Sequence, residues 1–247
     1  TGGLSKKLLT ISFCLVAADR VSSMNLMAHA KINLTLEVLR KRDDGYHEIV
    51  SLMYRLGVHD LVSINTAAKI TVETNLPSIN GRENLAYRAA LLMRDEFDIH
   101  AGAKIQINKR IPLASGLGGG SADAATVING LNRLWSLNAA EKTLINLGSS
   151  IGSDIPFMLQ NNSAIVKSRG EIVEQIPSDM QLFLVLLFPE IVLRDKTKTM
   201  YSYLTQNHYS DGRYTLKAQK YIEEGNKLPI DATFNVFDQV AGLAYPE

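Results

Sequence analysis

Four glycines fall within five positions of the stretch Pro112-Leu113-Ala114-Ser115-Gly116-Leu117-Gly118-Gly119-Gly120-Ser121. An alternating segment at 103–108 precedes it, and apolar residues recur behind it at helical spacing, at Ala124, Ile128 and Leu131. The stretch therefore joins a strand to a helix, and we expect that helix to begin at Ser121. Glycine lets successive backbone N–H groups converge on an anion, and a helix N-terminus adds the positive end of its dipole. The stretch is thus typical of a phosphate-binding loop.

Three other interpretations of this loop are weaker. A Walker loop ends in Gly-Lys-Ser or Gly-Lys-Thr, and no lysine lies between Pro112 and Asn132. The dinucleotide fingerprint Gly-x-Gly-x-x-Gly fits Gly116 and Gly118 but has Ser121 in place of the third glycine. A flexible turn rarely carries four glycines directly before a helix. The hydroxyl of Ser121 also suits a phosphate oxygen or a Mg²⁺ ion.

The bulk composition indicates an ordinary globular protein. Of the 247 residues, 46% are apolar and 21% are charged, and the formal net charge is +1. This balance gives no indication of a nucleic-acid or membrane partner. The single cysteine excludes a disulfide framework and a thiolate-rich metal site. No segment of the sequence reaches the roughly 18 apolar residues of a membrane-spanning helix.

The first residues differ in character from the rest of the chain. Lys6 and Lys7 precede an apolar run over 8–18, which resembles a short signal peptide. A strand-like pattern begins only after Met24. We therefore expect residues 1–23 to be an N-terminal extension outside the fold.

The remaining chain divides into short elements of both kinds. Alternation predicts strands at 28–38, 69–74, 103–108 and 164–173, and strand material at 48–64 that is interrupted at 57–60. A continuous apolar run predicts a buried strand at 182–188. Helices are predicted after a cap at Asn84, around Ala140, Leu144 and Leu147, and at 197–204, with a turn over 150–157. This mixture without strict alternation favours an α+β fold, with a domain boundary near 177–179 that separates domains at 24–178 and 179–247.

Four motifs together resemble a known family. The segment 112–125 resembles the phosphate loop of the GHMP kinases, which act on small molecules such as galactose, homoserine and mevalonate. Three more segments resemble the branch of that family that phosphorylates 4-diphosphocytidyl-2-C-methyl-D-erythritol: Ala30-Lys31-Ile32-Asn33-Leu34, Asp44-Gly45-Tyr46-His47 and Ile151-Gly152-Ser153-Asp154-Ile155-Pro156-Phe157. The resemblance implies a two-domain fold, with an N-terminal domain like ribosomal protein S5 domain 2 and an incomplete ferredoxin-like C-terminal domain.

The resemblance assigns the chemistry to two residues. Asp154 would orient the acceptor hydroxyl and take its proton, which suits a carboxylate in a glycine-bounded turn. Lys31 would lie near Asp154, stabilise its negative charge and lower the pKa of the substrate hydroxyl. Without the resemblance, a turn-capping aspartate is the favoured interpretation of Asp154, and a solvent-facing strand lysine is an ordinary one for Lys31.

The resemblance also assigns the acceptor side of the site. Asn33 leaves the same strand face as Lys31 and would contact the substrate. Tyr46 and His47 would bind the cytidine, the tyrosine by stacking and the histidine by hydrogen bonds. Thr197 corresponds loosely to a substrate-binding threonine of the second domain. On residue types alone, Tyr46 and His47 are equally compatible with a strand-edge aromatic and a surface histidine.

On the nucleotide side, residues Pro112 to Ala122 would bind ATP with Mg²⁺, and Ser121 is a candidate metal ligand. Asn84, Leu85 and Lys109 match adenine-side segments of the family. Asn84 has a sufficient role as a helix cap, and Lys109 is also compatible with a solvent-facing position. Asp123 lies just inside the helix and could favour its dipole or help a metal; the sequence does not choose.

One family motif is missing. A distal Gly-Ser/Thr-Gly-Pro/Ala segment does not occur before Glu247, so we expect a C-terminally truncated chain or a divergent domain. Two alternatives stay open: another GHMP kinase acting on mevalonate or a sugar, and a non-catalytic nucleotide-binding module. The Asp-Gly-Tyr-His motif favours the cytidyl acceptor over the first. We expect a monomer or homodimer in the cytoplasm, or in the plastid stroma if the source is a plant or alga.

Overall fold

The computed structural model describes residues 22–160, 163–177, 182–187 and 195–246. Its strands are β1 (Ser23–Asn33), β2 (Thr35–Lys41), β3 (His47–Ala67), β4 (Thr71–Thr74), β5 (Gly102–Asn108), β6 (Ser163–Ser168), β7 (Ile172–Gln175) and β8 (Phe234–Asn235). Its helices are α1 (Leu85–Glu96), α2 (Gly119–Leu134), α3 (Glu141–Ile151), α4 (Ile155–Gln160), α5 (Lys196–Ser202), α6 (Arg213–Glu223) and α7 (Ala241–Ala244). The mixture of sheet and helices confirms the predicted α+β class. None of the helices in the described ranges is both long enough and apolar enough to cross a membrane.

The long strand β3 organises the sheet. It pairs antiparallel with β1, β2, β5 and β6, which is feasible because its two halves have different neighbours. β4 extends the sheet parallel to β5, β7 forms a hairpin with β6, and β8 adds to β2 in parallel. The predicted interruption at 57–60 is wrong, since β3 runs through it. β3 is nevertheless irregular near this place: one β1 residue, Ala30, separates His29 from Lys31, whereas three β3 residues, at 56–58, separate their partners, so the extra residues belong to β3.

Both faces of the sheet are covered. Met53 and Leu52, adjacent on β3, belong to different core clusters, as expected for side chains that alternate between the faces of a strand. Helices α1 to α4 cover the Met53 face, and α6 packs on the Leu52 face. Helix α2 lies especially close to β3, because a Cβ added at Gly130 would come within 2.3 Å of the Ile64 side chain. This close packing fixes the C-terminal half of α2 against the sheet.

Four other predicted elements differ from the structure. The strand predicted at 28–38 is divided between β1 and β2, and the strand predicted at 164–173 is the β6–β7 hairpin. The turn expected at 150–157 is confined to Gly152–Asp154, because α3 continues to Ile151 and α4 begins at Ile155. The segment 182–187 is not a buried strand: it has no assigned strand, and Phe183, Val185 and Leu187 are exposed. An apolar run alone does not show whether a partner strand is available to pair with it. Phe188 lies outside the described residues.

The domain limits stay predictions. Most of the proposed N-terminal extension, residues 1–21, lies outside the described residues, and β1 begins one residue before Met24. The boundary near 177–179 borders another such range, 178–181. On the C-terminal side, α5 confirms the helix predicted at 197–204 and packs with β2 and β3 through Met200.

Candidate active site

The phosphate loop connects β5 to α2. Gly116 and Gly118 have φ angles of +83° and +72°, in the left-handed region that favours glycine. Helix α2 begins at Gly119 rather than at the predicted Ser121, since Gly118 is the N-cap residue. The loop borders an open cleft lined by Leu85, Lys109, Ile111, Pro112, Leu113, Ala114, Ser115, Gly116, Gly118, Gly119, Gly120 and Ser121. Ala122 lies deeper, buried, with its N–H already donated to the Gly118 carbonyl.

Lys31 and Asp154 meet beside this loop. Lys31 Nζ lies 3.5 Å from Asp154 Oδ2, with the lysine side chain 7% exposed and the aspartate side chain 30% exposed. The Lys31 N–H donates to the Leu117 carbonyl at 2.9 Å, which ties β1 to the loop. The cation is therefore turned into a confined site rather than toward open solvent.

The turn that carries Asp154 is held from two sides. A Cβ added at Gly170 would lie 2.7 Å from the Ser153 carbonyl oxygen, so the β6–β7 hairpin packs directly on the turn. On the other side, a Cβ added at Gly152 would lie 3.7 Å from Ser121 Oγ. The end of the phosphate loop and the Asp154 turn are therefore neighbours.

A hydrogen-bond chain runs from Lys31 into the sheet. Lys31 Nζ donates to Asn33 Oδ1 at 2.6 Å, and Asn33 Nδ2 donates to Ser51 Oγ at 2.7 Å. The Ser51 hydroxyl in turn donates to the Thr35 carbonyl at 2.5 Å. Lysine only donates and the Ser51 proton is already used, so the Asn33 amide has one permitted orientation. Sequence reasoning missed Ser51, although a polar residue between Val50 and Leu52 was a hint.

Tyr46 and His47 lie at the start of β3. Tyr46 is exposed, and the Arg169 guanidinium lies over its ring, 5.0 Å from the centroid. His47 stacks on Tyr201 of α5, with centroids 5.0 Å apart and planes at 17°. Burial lowers the pKa of His47, and the positive charge of Lys41 lowers it further, so the ring is neutral at pH 7.

Tyr201 connects the aromatic group to Asp154, a role that sequence reasoning missed. Burial raises the pKa of Tyr201 to about 12, and the nearby negative charge of Asp154 contributes in the same direction. Its phenol therefore stays protonated at any ordinary pH. Thr197 lies four residues earlier on α5, on the same helix face as Tyr201, and is exposed. A tyrosine in a short helix is usually a packing residue, so the sequence around Tyr201 gave no reason to assign it to the site.

The nucleotide-side residues divide into two kinds. Asn84 acts as the predicted cap of α1, since its Oδ1 accepts from the Ala86 N–H at 2.9 Å. Leu85 lines the cleft and contacts Gly120. Lys109 is not solvent-facing: its ammonium lies between the carboxylates of Asp60 and Asp123. Asp123, whose role was left open above, therefore forms an ion pair with Lys109. Asp60 was not identified from the sequence, because no residue near Asp60 in the sequence indicates that it pairs with Lys109.

With this geometry in hand, comparisons with known proteins identify the family. Residues 84–162 match the GHMP kinases N terminal domain. The chain is 38% identical to a 4-diphosphocytidyl-2-C-methyl-D-erythritol kinase of Dehalococcoides mccartyi, over 91% of this chain and 79% of that protein. The chain belongs to the 4-diphosphocytidyl-2-C-methyl-D-erythritol kinases. A kinase of the same name from Acetivibrio thermocellus is 43% identical over 83% of this chain and 73% of its own length.

Solved structures agree with membership in this kinase family. A crystal structure of 4-(cytidine 5'-diphospho)-2C-methyl-D-erythritol kinase superimposes with a TM-score of 0.71 and 29% identity, covering 90% of this chain and 79% of that one. The phosphomevalonate kinase of Streptococcus pneumoniae has a TM-score of 0.63 at 12% identity, over 91% of this chain and 80% of its own, and shows the shared fold alone. The family resemblance stated from the motifs is thus confirmed. The roles of individual residues stay predictions.

Proposed function

We propose that this protein transfers the γ-phosphoryl group of ATP to the 2-hydroxyl of 4-diphosphocytidyl-2-C-methyl-D-erythritol. The observation that carries the proposal is the Lys31–Asp154 pair, at 3.5 Å, beside the end of a glycine-rich loop. Phosphoryl transfer needs little covalent help from the protein and depends on positioning and charge. A carboxylate and a cation beside a phosphate loop supply those needs.

Asp154 and Lys31 have different roles in the proposed transfer. The acceptor oxygen attacks the γ-phosphorus while Asp154 accepts the hydroxyl proton, and the bond to the β-phosphate oxygen breaks to release ADP. Lys31 stabilises the negative charge that develops on the attacking oxygen. Asn33 Oδ1 holds the Lys31 ammonium at 2.6 Å, so the cation stays near both the carboxylate and the acceptor.

The acceptor's cytidine is recognised at the start of β3. Tyr46 offers an exposed ring face on which a base can stack. His47 is held by Tyr201 and, being neutral, has one ring nitrogen that donates and one that accepts. Thr197, exposed on the Tyr201 face of α5, is the residue proposed to contact the acceptor from the C-terminal part.

Magnesium fits the same cleft. The Ser121 hydroxyl is in the first turn of α2 next to Gly152, and a hard oxygen ligand together with nucleotide phosphates is how proteins commonly bind Mg²⁺. Ser121 is the residue that would hold the ion. When bound, Mg²⁺ neutralises phosphate charge.

A substrate comparison tests the proposal. ADP release is measured with Mg-ATP and either the cytidyl acceptor or mevalonate, and we expect turnover with the cytidyl acceptor. ATP turnover with mevalonate alone would favour another GHMP activity, and nucleotide binding without turnover on any acceptor would favour a non-catalytic module. Asp154→Ala and Lys31→Ala should each lose roughly 10²–10⁴-fold in kcat. Full activity in both variants would refute the assigned roles.

A further inference from the structure

A group of three buried charged side chains lies directly beneath the phosphate loop. Lys109 Nζ donates to Asp60 Oδ2 at 2.5 Å and to Asp123 Oδ2 at 2.6 Å. The side chains of Lys109, Asp60 and Asp123 are 3%, 0% and 5% exposed. The charges are thus isolated from water and depend on one another.

These three residues connect both ends of the loop. Lys109 directly follows β5, where the loop begins, and Asp123 lies near the start of α2, where the loop has ended. A Cβ added at Gly119 would lie 3.3 Å from Lys109 Nζ, so the ammonium sits immediately below the first residue of α2. The Lys109–Asp123 ion pair therefore joins the two ends of the loop from below.

Asp60 fixes the beginning of the loop in a second way. Its Oδ1 accepts from the backbone N–H groups of Arg110, at 2.5 Å, and Ile111, at 2.8 Å. These are the last two residues before Pro112. Because Asp60 belongs to β3, the central strand becomes the reference to which the loop is attached.

Stability alone is a weak explanation for this arrangement. Buried ion pairs can often be replaced by apolar residues without loss of stability. Asp123 Oδ1 is buried and has no hydrogen-bond partner among the described residues, which is unfavourable for a purely structural carboxylate. The neighbours of Asp123 on α2, Ala122 and Ala124, are buried and apolar. A buried carboxylate with one unpaired oxygen is therefore better explained by a use other than stability.

We propose that Asp60, Lys109 and Asp123 are positioning residues that hold the two ends of the phosphate loop at the separation required for ATP binding. The inference rests on the proposed function, because it takes the ligand of the loop to be ATP. Backbone N–H groups converge on a phosphate only when both ends of their loop are fixed. Among the described residues, no hydrogen bond or ion pair joins these three residues to Asn33 or His47, so the acceptor side should not be affected.

The test compares two substitutions at one position. Asp123→Ala breaks the link between the loop ends but leaves Lys109 paired with Asp60, so no lone buried charge results. Asp123→Asn keeps an oxygen that can accept from Lys109 and serves as the conservative control. We expect KM for ATP to rise about tenfold in Asp123→Ala and to stay within about twofold in Asp123→Asn. KM for the cytidyl acceptor should be unchanged in both variants.

Calorimetric titration with ADP makes the result independent of the acceptor. Weaker ADP binding in Asp123→Ala, restored in Asp123→Asn, supports the proposal. Unchanged ADP binding in Asp123→Ala would overturn it, as would an equal rise in both KM values or an asparagine variant as impaired as the alanine variant. If wild-type protein binds ADP but phosphorylates no acceptor, the proposed function fails while this inference stands.

A second variant covers the case in which Asp123→Ala does not fold. Asp60→Asn leaves Lys109 paired with Asp123 and removes one of the two carboxylate oxygens that hold Lys109, Arg110 and Ile111. The same tenfold rise in KM for ATP, with an unchanged KM for the acceptor, is expected. A folded Asp60→Asn protein with wild-type ATP kinetics would overturn the proposal.

Discussion

Substituting alanine for Gly118 tests the packing between the phosphate loop and Lys31. Gly118 has a φ of +72°, and an added Cβ would lie 2.7 Å from Met158 Cε and 3.1 Å from Lys31 Cγ. The methionine end is flexible and can move away. The lysine has less freedom, because its N–H is bonded to the Leu117 carbonyl and its ammonium to Asn33.

The expected effects separate into stability and rate. A left-handed backbone costs a non-glycine residue about 1–2 kcal/mol, so Gly118→Ala should lower the free energy of unfolding by at least that amount. The Cβ also pushes Lys31 away from its place 3.5 Å from Asp154. A displacement of about 1 Å in a reacting group can cost about 10²-fold, and this contact requires a shift of a few tenths of an ångström, so we expect kcat to fall by roughly 3- to 10-fold.

Gly225→Ala is the matched control. Gly225 has a φ of +69°, nothing within 4 Å of an added Cβ, and a position just after α6. It should lose a similar 1–2 kcal/mol, measured by urea unfolding, and keep its kcat. Steady-state rates at saturating ATP and acceptor then isolate the contact with Lys31. If Gly118→Ala and Gly225→Ala have equal kcat values, the argument that the loop positions Lys31 is wrong.

Three further predictions concern titration and the hydrogen-bond chain. NMR titration should give His47 a midpoint below 6.5, because burial and then Lys41 disfavour its cation; a midpoint above 6.5 would contradict this. Burial, opposed by Lys109, raises the pKa of Asp123 from 3.8 to about 7. The folded protein therefore binds a proton that the unfolded chain releases, and the resulting free energy of unfolding is lost as the pH rises from about 4 to about 7. The free energy of unfolding of Asp123→Asn, relative to that of the wild type, should therefore increase by about 2–3 kcal/mol between pH 5 and pH 8. If this difference between the two proteins does not change with pH, the pKa of Asp123 is not raised. Ser51→Ala removes the hydroxyl that accepts a hydrogen bond from the Asn33 amide, so KM for the cytidyl substrate should rise about tenfold while KM for ATP stays constant. Ser51→Thr keeps a hydroxyl and should restore much of the loss. Equal effects on both KM values would contradict the predicted role of Ser51.

Features that depend on neighbouring residues could be predicted from the sequence. The phosphate loop and α2 were predictable because glycine content and apolar spacing are local, and the error at the start of α2 was two residues. The cap at Asn84 was predictable for the same reason. The break predicted at 57–60 was wrong because Gly57 lies where β3 has extra residues opposite β1, and pairing on both sides of this irregularity keeps the strand continuous.

Features that depend on distant residues could not be predicted in this way. Lys109 meets Asp60 across 49 positions of the sequence, and residue types alone gave equal weight to a solvent-facing lysine. His47 stacks on Tyr201, which belongs to a helix of the C-terminal part. The family resemblance supplied Lys31 and Asp154 as a pair, but their 3.5 Å separation and the supporting Ser51 needed the structure.

Phosphoryl transfer to the cytidyl acceptor at the Lys31–Asp154 site is tested most directly by ³¹P NMR of the reaction products. The protein is incubated with Mg-ATP and 4-diphosphocytidyl-2-C-methyl-D-erythritol, and the ADP and phosphomonoester resonances are integrated. The Lys31–Asp154 site predicts ADP and a new phosphomonoester on the acceptor in equal amounts with wild-type protein, and initial rates of both that are at least about 10²-fold lower with Asp154→Ala. ADP accompanied only by inorganic phosphate, or an equal initial rate of phosphomonoester formation with Asp154→Ala, would contradict it.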